Sequence, residues 1–134
     1  MPADADRRDA AAEWLAHARS NLIVAQQPKP AGVRWDHLCF EAQQAAEKAV
    51  KAVLVDRGIE FPYIHDIRPL LSLLDEAGQA VPEELWEAGA LLTPYAVLAR
   101  YPGFDRPVTE DAHRQAVTVA ESVVHWAERM IYGR

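Results

Sequence analysis

Residues 39–54 read Cys39-Phe40-Glu41-Ala42-Gln43-Gln44-Ala45-Ala46-Glu47-Lys48-Ala49-Val50-Lys51-Ala52-Val53-Leu54. Alanine dominates, joined by Glu, Gln and Lys, the residue types that lose least on entering a helix. Leu38, Ala42, Ala45, Ala49 and Val53 follow one another at steps of three and four, and Cys39, Ala46, Val50 and Leu54 form a second stripe beside the first. Two adjacent stripes make a wide apolar face. Such a helix belongs at the centre of a bundle, with several neighbours. It starts near Asp36 and stops at Gly58, a residue suited to the left-handed C′ position.

The flanking segments fit the same plan. Upstream, Ala11, Trp14, Leu15, Ala18, Leu22 and Ala25 mark a helix from an N-cap at Asp9 to Gln27, before Pro28-Lys29-Pro30. Residues 1–8 are then a flexible tail, and 9–134 a single domain. Downstream, a connector over Ile59–His65 carries Phe61-Pro62-Tyr63 and leads to an N-cap at Asp66. A short helix bearing Leu70, Leu71, Leu73 and Leu74 stops at Gly78. Pro82 opens the next, with Glu83 and Glu84 at its positive end and Trp86, Ala90 and Leu91 on its inner face. Pro94 kinks or splits it before Tyr95, Leu98 and Arg100. After a loop over Tyr101–Pro107, Thr109 caps a last helix bearing Ala112, Ala116, Val119, Val123, Trp126 and Met130. The expected fold is all-α, an up-and-down four-helix bundle with a short additional helix.

Composition narrows the function. The 134 residues include 14 Lys plus Arg against 20 Asp plus Glu, a net charge of -6. That balance disfavours a general nucleic-acid coat and leaves room only for a local basic site. A single cysteine excludes an intrachain disulfide and a cysteine-rich zinc finger, and Cys39 among apolar neighbours reads as an inert thiol. The five histidines lack ligand spacing, and no phosphate-binding glycine loop is present, so neither a metal nor a cofactor is expected. No apolar run approaches the ~18 residues of a membrane span. The opening residues carry arginines without an apolar segment behind them, so the expected location is cytoplasmic. Four tryptophans and several apolar stripes exceed what one small bundle needs inside, which points to a homodimer.

Three constellations could carry chemistry. Gln43, Gln44, Glu47, Lys48 and Lys51 interrupt the alanines of the second helix. They read either as a solvated face with Glu47 paired to Lys51, or as anchors, Glu47 and Lys48 above all, that orient a turn or a ligand. Arg100-Tyr101-Pro102-Gly103-Phe104-Asp105-Arg106 could grip a phosphate and stack a base, or could simply be a packed turn. Arg106 and His113 have six residues between them. An arginine on the scissile phosphate and a histidine at the ribose 2′-hydroxyl would suffice for metal-free RNA cleavage.

Taken together, Cys39–Leu54, Arg57-Gly58-Ile59-Glu60-Phe61-Pro62 with His65-Asp66-Ile67, and Ala99-Arg100-Tyr101-Pro102-Gly103 resemble, in this order, the landmarks of HEPN domains. The resemblance extends over roughly residues 10 to 132. It implies a four-helix core with an extra short helix, usually as a homodimer. It also implies two functional traditions: ribonucleases built on an arginine and a histidine closely spaced in sequence, and modules that work beside a minimal nucleotidyltransferase. Here Arg106 is followed by Pro107 and the capping Thr109, and Arg100 has no histidine at the family's spacing. The resulting expectation is a homodimeric interaction module, partner of a nucleotidyltransferase in a toxin–antitoxin-like pair. A metal-independent endoribonuclease using Arg106 and His113 is the first alternative. The second is a nucleotide-binding module using Glu47, Lys48, Lys51, Arg100 and Tyr101.

Overall fold

Proline and glycine divide the chain where the sequence places them. In the computed structural model, which describes residues 4–98 and 107–133, the elements are α1 (Asp4–Gln26), α2 (Trp35–Asp56), α3 (Ile67–Glu76), α4 (Glu83–Leu92), α5 (Pro94–Leu98) and α6 (Glu110–Tyr132). Every regular element among the described residues is helical. The all-α bundle is the expected one; among the described residues it has three long helices and three short ones, because the segment expected to kink or split is divided in two. The division arises at Pro94, which lacks an N–H to continue the ladder, so α4 ends at Leu92 and α5 begins on the proline itself. Thr93 at the joint accepts from the Ile67 amide at 3.4 Å and donates to Asp66 Oδ1 at 3.3 Å, fastening it to the start of α3.

Local signals set the other boundaries. Asp66 caps α3 through the Arg68 amide at 3.1 Å, and Thr109 caps α6 through that of Ala112 at 3.1 Å. At the end of α2, Gly58 takes φ +69°, with its amide on Val55 O and the Ile59 amide on Leu54 O. This is the paired Schellman closure that favours glycine. The beginning of α1 departs from expectation. It lies at Asp4, so residues 4–8 are helix, not tail. Asp4 and Asp6 complement the positive end of the helix, and Arg8 Nε reaches Asp56 Oδ1 at 2.7 Å across the bundle. Asp56 also pairs with Arg57, whose guanidinium continues to Gln79 Oε1 at 3.1 Å and Met130 O at 2.9 Å. The ends of α2 and α6, the loop after α3 and the start of α1 are thereby joined at one pole.

The wide apolar face of α2 does what its two stripes require: α2 packs against α1, α3, α4, α5 and α6, and 14 of its 22 residues are buried. α1 contributes Ala11, Leu15, Ala18, Leu22 and Ala25 to the core, and α6 contributes Ala116, Ala120, Val123, Val124, Trp126, Ala127 and Ile131. Trp14, Val119 and Met130 are only half-buried. No helix of the described residues is long and apolar enough to cross a membrane.

Candidate functional site

Trp14 and the connector before α3 decide the fate of the polar run on α2. Gln43, Glu47 and Lys51 are 0%, 2% and 3% exposed. The solvated-face reading is therefore corrected, although its Glu47–Lys51 pair is present at 2.9 Å. The side chains are shielded because Trp14 of α1 and Phe61 and Tyr63 of the connector surround the Lys51 ammonium, at 5.8, 5.6 and 5.8 Å from their ring centres. The negative faces of three rings and one carboxylate replace the water that the cation has lost.

Glu47 is the hub of this cluster. Its Oε2 accepts from Lys51, and its Oε1 accepts from Gln43 Nε2 at 3.1 Å and from His65 Nδ1 at 3.1 Å. An ionised carboxylate only accepts, so His65 carries its proton on Nδ1 in this contact. Gln43 Nε2 also reaches the His65 carbonyl at 2.9 Å, and Gln43 Oε1 accepts from Gln44 at 2.8 Å. The connector is thus stitched to α2 by both the backbone and the imidazole of His65. The sequence marks His65 as a landmark of the family resemblance but gives it no chemical role there. The signal that could have found it is a carboxylate amid alanines, opposite a connector rich in aromatic residues.

Lys48 lies one turn earlier and has different surroundings. Its Nζ donates to Asn21 Oδ1 at 2.9 Å, and Asn21 Nδ2 donates in turn to Glu41 Oε2 at 2.7 Å. With Ala10, Glu13, Trp14 and His17 it lines an open groove of about 420 Å³ between α1 and α2.

The catalytic candidates divide. Arg100, Tyr101 and Arg106 lie outside the described residues. His113 is 8% exposed; its Nε2 donates to Ala25 O at 2.7 Å and its ring lies 4.9 Å from that of Trp35. It fastens the first turn of α6 to the last turn of α1 and the start of α2. Cys39 is fully buried; burial above all, with the nearby Asp36 charge, pushes its thiol up to about 12, against a bond to Tyr95 that works the other way. A thiol so rarely ionised is a poor nucleophile. No group of His, Cys, Asp and Glu among the described residues is arranged to hold a metal.

Residues 11–130 match the family model of the HEPN domain. Among solved structures, TT1696 from Thermus thermophilus aligns with a TM-score of 0.78 and 35% identity, covering 90% of this chain and 97% of that one. The archaeal HEPN homologue ST0689 aligns with a TM-score of 0.60 and 26% identity over 98% of this chain and 99% of that one. Comparison with curated proteins finds no match.

Proposed function

Because the chain belongs to the HEPN domain family, we propose that it acts as a homodimeric interaction module, the cytoplasmic partner of a nucleotidyltransferase in a toxin–antitoxin-like pair. The observation that carries this reading is the structural employment of His113. A general base must come within about 2.6–3.2 Å of the proton it removes. His113 is 8% exposed, its Nε2–H donates to the Ala25 carbonyl at 2.7 Å and its ring is packed on Trp35, so a ribose hydroxyl has little access to Nδ1, the nitrogen left to act as a base. A net charge of -6 further weakens any general hold on RNA. In favour of a protein partner, Ile23 and Val24 on the outside of α1 are 57% and 43% exposed.

The test pairs an RNA-cleavage assay in chelator with co-purification. The expected outcome is intact RNA, a sedimenting species of twice 14.9 kDa, and a stable complex with a co-expressed minimal nucleotidyltransferase. Chelator-resistant cleavage that disappears in a folded His113→Ala protein would instead establish the ribonuclease. A protein that fails to retain the nucleotidyltransferase would remove the partner reading.

A further inference from the structure

Trp14 takes part in two structures. It is one ring of the box around Lys51, and it is a wall of the groove between α1 and α2. Its place in the box fixes it: the Phe61 ring meets it edge-on at 6.1 Å and Lys51 Nζ lies 5.8 Å from its centre. The indole therefore reaches the groove already ordered, and a ligand lying on it need not immobilise it. At about 420 Å³ the groove falls within the roughly 300–1,000 Å³ of small-molecule sites.

Lys48 supplies the polar end and is ordered in the same way. Asn21 holds its ammonium and Glu41 holds Asn21, which fixes the amide orientation. The partner of Lys48 is thus a neutral oxygen, and among the described residues no carboxylate pairs with it directly. A positioned ammonium without a direct counter-ion, beside an ordered indole, attracts an anion that has an apolar body. Another lining residue limits the charge of that anion: Glu13 also borders the groove, with His17 Nε2 at 3.4 Å, and would repel a second negative group.

We propose that this groove binds a small amphipathic monoanion, its flat apolar body on Trp14 and its carboxylate on Lys48. The ligand class goes beyond the partner reading above and does not depend on it. The full chain is titrated with a short series of phenylalkanoates, with the matching amides and with adenosine monophosphate, followed by heat and by tryptophan fluorescence. Carboxylates should bind saturably and about tenfold more tightly than their amides, the effect of one charge-assisted hydrogen bond. Lys48→Gln should erase that preference and Lys48→Arg should keep it. Trp14→Phe should weaken carboxylate and amide alike, with circular dichroism matching the parent in each case. Three results would overturn the proposal: no saturable carboxylate binding, a preference that survives Lys48→Gln, or adenosine monophosphate binding more tightly than the carboxylates.

Discussion

Lys48 and Lys51 stand three residues apart on the same helix, yet their environments differ. Lys51 is 3% exposed, bonded to Glu47 at 2.9 Å and surrounded by three rings. Lys48 is half-buried, bonded to an amide oxygen, and borders an open groove. One positive charge is cancelled where it sits, and the other is oriented without being cancelled. A buried ion pair of the first kind gives little net stability but is costly to break. The second kind adds little to folding and leaves a cation available. Residue type and helical spacing do not separate the two cases; the counter-ion does.

The most severe way to break the contrast is to remove the counter-ion of Lys51. Glu47→Ala leaves a buried ammonium without a carboxylate and strands Gln43 and His65, so urea unfolding should register a loss of about 3–5 kcal/mol. The double variant Glu47→Leu with Lys51→Met replaces the pair by apolar volume and should recover most of that loss. A double variant as unstable as Glu47→Ala alone would show that the packing of the box, not its charge, sets the cost.

A smaller effect is expected where the cluster meets the connector. His65→Ala removes one of the donors to Glu47 but keeps the Gln43 bond to the backbone carbonyl of residue 65. The loss should be about 1–3 kcal/mol, the cost of one unmade bond to a buried acceptor. Hydrogen exchange should report it as faster opening of residues 58–66 with the core of α2 unchanged. Uniform acceleration along α2 would instead make His65 part of the global core.

These residues also mark what was legible in the sequence. The stops at Gly58 and Gly78, the caps at Asp66 and Thr109, and the break at Pro94 rest on interactions within a few residues, and local patterns state them directly. The central position of α2 was legible because two stripes on one helix require neighbours on several sides. The start of α1 was not, because Asp9 is a plausible cap and the bond that extends the helix, Arg8 to Asp56, crosses 48 positions. The polar run stayed ambiguous for the same reason. Whether Glu47 and Lys51 face water depends on Trp14 and on a connector that folds back over them. His113 was singled out by its position near Arg106, but its role in holding Ala25 lies 88 residues away.

The smallest effect on folding is expected at Lys48, and it is the most informative for the contrast. Its ammonium is half-buried and bonded to an amide, so Lys48→Gln exchanges one hydrogen bond for another and strands no buried charge. The change in stability should stay within about 0.5 kcal/mol, the range of ordinary surface substitutions. The same exchange at Lys51 would leave Glu47 buried against a neutral amide and should cost several-fold more. If thermal unfolding instead finds Lys48→Gln as damaging as Lys51→Gln, the Asn21–Glu41 relay carries structural charge compensation over two bonds. Lys48 would then belong to the buried network, and the groove would lose its available cation.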